Sequence, residues 1–436
     1  MTQQANKRRS IELGLCALSA AVVVGAYLLT VFADRTDLPA DLVVFLGMVL
    51  GLVGIAHIAV RRLAPRANPV LLPLVAMLNG LGFVTIARLD RDLGRIQSLW
   101  IAVGVLAFVV VLMAVPRVRT LERYRYTFAL LSVGALLLPL APVLGREING
   151  ARLWIRVGTL NFQPGEAAKV LLVVFLAAYL VEKRELLGVG TRRIGRMLLP
   201  DPRHFGPLLL AWGVSILVMV QEKDLGSSLL FFAIFVAMLY VATARIAYLA
   251  AGVGMFAMGS VAAYQFFGHV QVRVDTWLNP WPVSDGQGFQ LVQALFSFGS
   301  GGFAGTGIGL GSPGKIPNAE TDFIFAAVGE ELGLLGTTAV LVVYLLIVVT
   351  GLGIALRASQ PFLKLLAMGL TTILGIQTFI ILGGVTRLIP LTGVTLPFMS
   401  YGGSSLVANF VILALLLRIS DETASADAAA LVAEAS

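Results

Sequence analysis

Residues 323–354 read FIFAAVGEELGLLGTTAVLVVYLLIVVTGLGI, an apolar stretch longer than the roughly 20 residues that carry a helix across a lipid bilayer. The stretch is a continuous run and lacks the alternation of a β-barrel strand. Backbone groups in lipid must form their hydrogen bonds within their own segment, as they do in a helix. The stretch therefore predicts a membrane-spanning α-helix.

Comparable apolar stretches recur along the chain, which has 436 residues, 58% of them hydrophobic and 13% charged. A soluble domain averages about 25% charged residues. The predicted fold class is therefore an all-α, polytopic integral membrane protein. Its spans number about twelve and are expected at residues 11–32, 40–60, 69–87, 97–115, 125–144, 166–181, 207–221, 226–242, 246–267, 323–354, 364–385 and 403–418.

The basic residues, which give the chain a net charge of +8, fall mainly in alternate loops. This is the positive-inside distribution of a membrane protein, so no nucleic-acid partner is expected. It places both termini in the cytoplasm and the loops 142–165, 268–322 and 386–402 outside the cell. The loop 88–96 contains three arginines and fits this topology poorly, but moving it inside breaks the remaining pattern.

The two ends of the chain are short and polar. Residues 419–436 are acidic and rich in small residues, which predicts a disordered cytoplasmic tail. The first apolar run follows Lys7–Arg9 and is long enough to stay as an anchor, so no cleavable signal peptide is expected. The single cysteine, Cys16, excludes an intramolecular disulfide.

A polar island at His269–Glu331 interrupts the apolar pattern. It holds six of the 24 acidic residues, namely Asp275, Asp285, Glu320, Asp322, Glu330 and Glu331. Carboxylates beside membrane spans indicate chemistry or transport, although pairing of some of them with backbone amides stays open. The glycine-rich run GSGGFAGTGIGLG is neither a P-loop nor a dinucleotide-binding fingerprint. Close packing through small residues explains part of it.

Asp285 and Trp277 mark the first part of this island. Trp277, with the prolines that follow it, predicts an irregular segment lying at the membrane interface. Asp285 precedes Gly286, a turn signal. Asp285 is either a turn residue or a general base that faces a lipid-borne substrate.

A second cluster, NGARLWIRVGTLNFQPGEAAK, covers Asn149–Lys169. Pro164 suits the first turn of a helix, and Glu166 and Lys169 then share one helical face. They are either a capping pair or a Glu–Lys pair at the floor of an outward cavity, since a lysine in an apolar span needs a partner. The preceding Arg152, Trp154 and Arg156 bind phosphate or lie at the membrane interface.

Two further motifs are less specific. Asp224, in QEKDLGSS, is a candidate helix cap. The stretch TRLIPLTGVTLPFMSYGGSS, Thr386–Ser405, predicts a shaped loop buried in protein, with Arg387 as its one cation. The three histidines lie far apart in the sequence, which argues against a histidine metal site.

Together these stretches resemble the SEDS family of bacterial shape, elongation, division and sporulation proteins. The matching motifs are NGARLWIRVG with QPGEAAK, KDLGSSLL, WLNPW with GQGFQLVQALFSFGSGG, TDFIFAAVGEELG and RLIPLTGVTLPFMSYGGSSL, in family order over residues 69–418. The resemblance implies a ten-helix core at 67–418, with residues 1–66 adding two N-terminal helices. Thr392, where the division type often has a lysine, favours the elongation (RodA-like) type.

The resemblance implies a peptidoglycan glycosyltransferase of the bacterial plasma membrane. Members polymerise lipid II, release undecaprenyl diphosphate and work with a class B penicillin-binding protein. A divalent cation such as Mg or Mn is a possible cofactor, since the leaving diphosphate gathers negative charge. The alternatives are a transporter that flips lipid II and a non-catalytic scaffold for a penicillin-binding protein.

The resemblance also assigns roles to residues. The family's essential aspartate corresponds to Asp285, two positions later than a gapless match requires, with Asp275 as the second candidate. Its glutamate–lysine pair corresponds to Glu166 and Lys169. The remaining residues expected to contact the substrate are Arg152, Trp154, Arg156, Arg273, Asp322, Glu331 and Arg387.

Overall fold

The computed structural model describes residues 3–34, 42–141, 144–148, 151–157, 160–188, 190–194, 197–200, 213–214 and 224–435. Within them the chain is mainly helical. The α-helices are α1 (Gln3–Asp34), α2 (Leu42–Leu63), α3 (Leu71–Leu89), α4 (Arg91–Ala114), α5 (Arg125–Leu137), α6 (Pro164–Gly188), α7 (Leu225–Thr243), α8 (Ile246–Phe266), α9 (Gly268–Leu278), α10 (Phe289–Gly301), α11 (Ile324–Arg357), α12 (Pro361–Val385) and α13 (Gly403–Ala435).

The predicted polytopic all-α class is confirmed. In the part of the chain that the structure describes, nine helices are long and apolar enough to cross a membrane. Eleven of the predicted spans lie on described helices, and the other, 207–221, lies outside the described residues except for 213 and 214. The α-helix in the predicted span 125–144 ends early, at Leu137, because Pro139 has no amide hydrogen to continue it.

Two small antiparallel sheets depart from the all-helical expectation. Strands β1 (Gly145–Ile148), β2 (Ala151–Val157) and β3 (Leu160–Phe162) form the first sheet, in which Ile155 pairs with both Gly145 and Phe162. Strands β4 (Gly190–Ile194) and β5 (Met197–Pro200) form the second. The alternation of Arg152, Trp154 and Arg156, which puts all three on one face of β2, was the sequence signal for the first sheet.

The 268–322 region also contains more regular structure than a long loop. Helices α9 and α10 occupy much of it, so Trp277 lies in a helix and not in an irregular segment. The stretch FQLVQALFSF in α10 buries Leu291, Val292 and Ala294 on one side. The apolar residues of this helix have helical spacing, but the glycine-rich sequence that follows them predicts a loop.

The C-terminal segment differs from the predicted disordered tail, because α13 continues through residues 419–435. Asp421 accepts a hydrogen bond from the Arg66 amide at 2.7 Å. Glu422 accepts one from the Val118 amide at 2.9 Å. These acids bond the helix to the loops before α3 and α5, and the alanines after them favour helix.

The glycine-rich run GSGGFAGTGIGLG packs against a break in a neighbouring helix. Helix α11 is interrupted at Gly333, where φ is +62°. On one side of the break two carbonyls accept from residues of the glycine-rich segment 302–311, and on the other side two amides donate to it. The four bonds are Thr306 N to Glu330 O, Gly307 N to Glu331 O, Leu334 N to Gly302 O and Leu335 N to Phe303 O. The segment thus satisfies backbone groups that a helix break would leave without partners.

Gly305→Ala is expected to lower the free energy of unfolding by roughly 2–5 kcal/mol, from left-handed strain and overpacking. Gly305 has φ +86°, and a Cβ there would lie 2.1 Å from the Glu331 carbonyl oxygen. Gly299→Ala is the matched control, because a Cβ on Gly299 meets nothing within 4 Å. Denaturant unfolding in detergent would measure both, and equal stabilities would contradict the packing role of Gly305.

Helices α1 and α2 pack on the rest of the bundle through both apolar and charged contacts. Val23 of α1 fills the space above Gly80 of α3, where a Cβ would lie 2.3 Å from Val23 Cγ2. Glu12 is buried between two groups, Arg9 at 2.5 Å and His57 Nδ1 at 2.7 Å. The second contact joins α1 to α2.

Candidate active site

A buried ion pair lies at the start of α6. Lys169 is 1% exposed, and its Nζ donates to Glu166 Oε2 at 2.5 Å and to Gln377 Oε1 at 2.8 Å. Gln377 in turn donates through Nε2 to the Thr395 carbonyl at 2.8 Å. A buried ammonium group needs such compensation. The structure therefore brings Glu166 and Lys169 together and adds Gln377, a polar side chain in an apolar span that the sequence analysis passed over.

The segment between α12 and α13, called here the 386–402 loop, is irregular and largely buried, as predicted. Its carbonyl groups find partners on several helices. Asn79 donates to Phe398 O at 3.1 Å and the Tyr344 hydroxyl to Pro397 O at 2.6 Å. These bonds allow irregular backbone to lie inside a helix bundle.

Arg387 fastens this loop to the end of α9. Its Nε donates to the Trp277 carbonyl at 2.8 Å, and its Nη2 donates to the Leu278 carbonyl at 2.5 Å. The Trp277 indole donates back to the Arg387 carbonyl at 3.1 Å. A cation at a helix C-terminus is favourable, so the structure gives the guanidinium of Arg387 a positioning role.

Two charged residues lie beside Gly393 of the 386–402 loop. A Cβ on Gly393 would lie 3.8 Å from Asp322 Oδ2 and 4.0 Å from Arg273 Nη1. A third charged residue, Asp224, acts on Asp322 through its charge. Its predicted capping role is confirmed, because it accepts from the Ser227 amide at 3.0 Å at the start of α7. We call Asp224, Arg273 and Asp322 the Asp322 cluster.

Burial sets the ionisation of this cluster. Together with the negative charges of Asp224 and Glu320, and against the Arg273 guanidinium, it raises the pKa of Asp322 to about 6. Burial likewise raises the pKa of Asp224, against its bonds to Ser227. Asp322 is thus a carboxyl group whose protonation changes close to neutral pH.

The two candidate general bases lie on the exposed side of the 268–288 region. Asp275, on α9, accepts a hydrogen bond from the Tyr264 hydroxyl at 3.0 Å. Asp285 follows a 3₁₀ turn at Trp281–Val283, and Gly286 N and Gly288 N both donate to the Val283 carbonyl at the end of that turn. Both carboxylates are exposed, whereas Glu166 and Lys169 are buried.

The acids of α11 support the glycine-rich segment. Glu331 pairs with Arg88 at 2.8 Å, and Arg88 also donates to the carbonyls of Gly309 and Gly311. Glu330 accepts from Ser312 N at 2.6 Å. The contacts of Glu331 are therefore structural. Arg88, one of the three arginines of the loop 88–96, is thus partly buried and neutralised by Glu331.

An apolar cavity of about 510 Å³ lies between α7, α8, α9 and the 386–402 loop. Its walls include Phe232, Phe256, Val274, Trp277 and Ile389. Thr392, whose neighbour Gly393 lies next to Asp322 and Arg273, also lines it. The cavity therefore joins apolar walls to a charged cluster, an arrangement suited to a ligand with an apolar tail and an ionic head.

The fold and the site thus define a polytopic membrane protein whose buried ion pair, apolar cavity and charged cluster meet at the 386–402 loop. The chain belongs to the FtsW, RodA and SpoVE family, whose model, described as cell cycle protein, matches residues 69–425. This confirms the resemblance to the SEDS proteins. The family match begins after α2.

Individual relatives agree with this assignment. The chain is 47% identical over 424 residues to the peptidoglycan glycosyltransferase RodA of Mycobacterium tuberculosis strain H37Rv, covering 95% of this chain and 90% of that protein. This supports the RodA-like type. A chain from a structure titled as a peptidoglycan synthase complex that coordinates polymerization and crosslinking matches with TM-score 0.66 and 30% identity, over 82% of this chain and 98% of that one. The crystal structure of Thermus thermophilus RodA matches with TM-score 0.57 and 31% identity, over 81% and 96%.

Proposed function

We propose that this protein is a peptidoglycan glycosyltransferase that polymerises lipid II into glycan strands and releases undecaprenyl diphosphate. The observation that carries the proposal is the 47% identity, over 95% of the chain, to a protein named for that activity. The apolar cavity beside the Asp322 cluster supports it, because the substrate combines a polyprenyl tail with a diphosphate.

The cavity is the proposed binding site of the polyprenyl tail. It opens between helices, so a lipid chain can enter from the bilayer while its head stays at the helix ends. Burial of apolar surface contributes roughly 25 cal/mol per Å². The tail then supplies binding energy that is independent of the sugar, and the charged residues around the 386–402 loop orient the head.

The reaction needs a base for the acceptor and positive charge for the leaving group. We assign the base to Asp285, with Asp275 as the second candidate. The carboxylate takes the proton of the acceptor hydroxyl as its oxygen bonds to the anomeric carbon, and the bond from that carbon to the diphosphate breaks. The charge that develops on the diphosphate is stabilised by cations, for which the candidates are Arg152, Arg156, Lys169 and Arg273.

If a divalent cation takes part, we propose that it is bound to the substrate diphosphate and not held by the protein alone. Within the described residues no group of three or more His, Cys, Asp or Glu side chains is arranged to hold a metal ion. Mg commonly keeps substrate phosphates among its ligands. Such an ion would offset negative charge on the diphosphate, and the protein would bind the ion and the diphosphate together.

The proposed partner is a class B penicillin-binding protein that crosslinks the product. The similarity to a chain from a complex that coordinates polymerization and crosslinking supports this pairing. The proposed location is the bacterial plasma membrane, with both termini cytoplasmic and the active site on the outer face. The pairing of Arg88 with Glu331 supports that topology, because it neutralises one of the three arginines that conflict with the positive-inside rule.

Purified protein mixed with lipid II in detergent is expected to form glycan polymer, visible as a ladder on gels. A lipid II flippase would move the lipid across vesicles and form no polymer. A scaffold would bind its partner and show neither activity. Absence of polymer from folded protein, with the partner protein present or absent, would refute the proposed activity.

A further inference from the structure

The Asp322 cluster holds a charge imbalance next to the apolar cavity. Two carboxylates, Asp224 and Asp322, face one cation, Arg273. Among the described residues, no carboxylate oxygen lies within the 4 Å of an ion pair with Arg273, whose Nη1 donates to Leu391 O at 3.1 Å. Much of the guanidinium therefore remains available for a further anion.

A second polar group at the same place points to a ligand. Thr392 is 4% exposed, and its hydroxyl has no hydrogen-bond partner among the described residues. It lines the cavity, and its neighbour Gly393 lies close to both Asp322 and Arg273. A buried hydroxyl without a partner is costly, and a phosphate oxygen would accept its hydrogen bond.

An anion bound here meets a repulsive carboxylate as well as an attractive guanidinium. Asp224 accepts from both the amide and the hydroxyl of Ser227, and these bonds favour its ionised form against the effect of burial. Asp322 can instead be neutralised by a proton, because its pKa is already raised to about 6. The other charged group that acts on it is Glu320, on its own segment, and Glu320 opposes ionisation as well.

We propose that polyprenyl diphosphate binds between Arg273 and Thr392 with the uptake of one proton from solvent by the Asp322 carboxylate. The inference rests on the proposed function and adds a proton linkage to it. The bound diphosphate disfavours ionised Asp322, so the proton remains while the ligand is present. Release of the ligand returns the proton.

The linkage fixes the direction of the pH dependence. In the free protein the pKa of Asp322 is about 6, and the bound anion raises it. Affinity is therefore highest below pH 6 and falls as the pH rises from about 6 toward the bound-state pKa, by up to about tenfold for each pH unit. The diphosphate also takes up protons in this pH range. The pH dependence that remains in a variant without the Asp322 carboxylate measures that contribution.

The test measures binding of undecaprenyl diphosphate to the full chain in detergent between pH 6 and pH 8. Wild type is expected to lose affinity more steeply than Asp322→Asn, whose affinity at pH 8 should exceed that of wild type. Asp92→Asn, at an exposed ion pair of α4, is the control and should keep the wild-type slope. Equal slopes for wild type and Asp322→Asn would overturn the inference.

Calorimetry measures the proton uptake directly on the wild-type protein and so does not depend on the folding of any variant. Wild-type binding at pH 7.5, measured in two buffers of different ionisation enthalpy, is expected to show net proton uptake, and zero uptake or net release would refute the proposal. Lipid II polymerisation by the same preparation is assayed alongside. Polymerisation without linkage would remove this inference alone, whereas binding with linkage but no polymer would remove the proposed activity.

Discussion

Asp285→Asn is expected to lower the rate of lipid II polymerisation by roughly 10²–10⁴-fold, the usual contribution of a general base. Asparagine keeps the shape of the side chain but cannot accept the hydroxyl proton. Asp285 is exposed, so the substitution should leave the unfolding transition unchanged. Polymerisation rates at saturating lipid II, together with thermal unfolding of the same samples, measure the two effects.

Asp275→Asn is the matched control for this prediction. Asp275 is also exposed, but it accepts a hydrogen bond from the Tyr264 hydroxyl, which indicates a role in joining α8 to α9. Its substitution should change the rate by less than tenfold. The opposite result, with Asp275 essential and Asp285 dispensable, would move the base to α9. Full activity in both variants would refute a base in this region.

Glu166→Ala is expected to lower the free energy of unfolding by about 3–5 kcal/mol, because it leaves a buried ammonium group without its counter-charge. Lys169 is 1% exposed and Glu166 is 8% exposed, so water cannot replace the lost carboxylate easily. Gln377 would remain as a neutral acceptor at 2.8 Å and would recover only part of the loss. Denaturant unfolding in detergent measures the change.

The double variant Glu166→Gln with Lys169→Met separates stability from function. Removing both charges is expected to restore much of the stability, since a buried pair is often no better than apolar residues of similar volume. Polymerisation should stay impaired if Lys169 also stabilises the diphosphate. Asp92→Asn is a control at an ion pair that is 79% and 86% exposed, and it should leave stability unchanged. A Glu166→Ala chain as stable as wild type would contradict the buried-pair argument.

Several features of this protein follow from local sequence alone. The spans could be predicted because a membrane helix must be long, apolar and internally bonded. The position of Lys169 in such a span required a partner, and Glu166 was one turn away. Asp224 was recognisable as a cap from its place before α7.

Other features depended on partners distant in sequence. Nothing near Glu331 indicates that it pairs with Arg88, and nothing near Gly305 shows that its backbone lies against a helix break. The local sequence after Ile419 predicts disorder because it does not show the partners of its acids. Those partners are the amides of Arg66 and Val118, more than 300 residues away. Gln377 is recognisable in the sequence as a polar residue within a span, but the sequence does not show that it contacts Lys169.

The sequence by itself determined the membrane class, most of the apolar helices and the family, because each of these depends on composition, periodicity or ordered motifs. Tertiary structure alone decided which acids are structural, where the apolar cavity lies and which charges surround Asp322. The physical reason is that burial and Coulomb interaction depend on distances between elements. Those distances are fixed when the 386–402 loop packs against helices from across the chain.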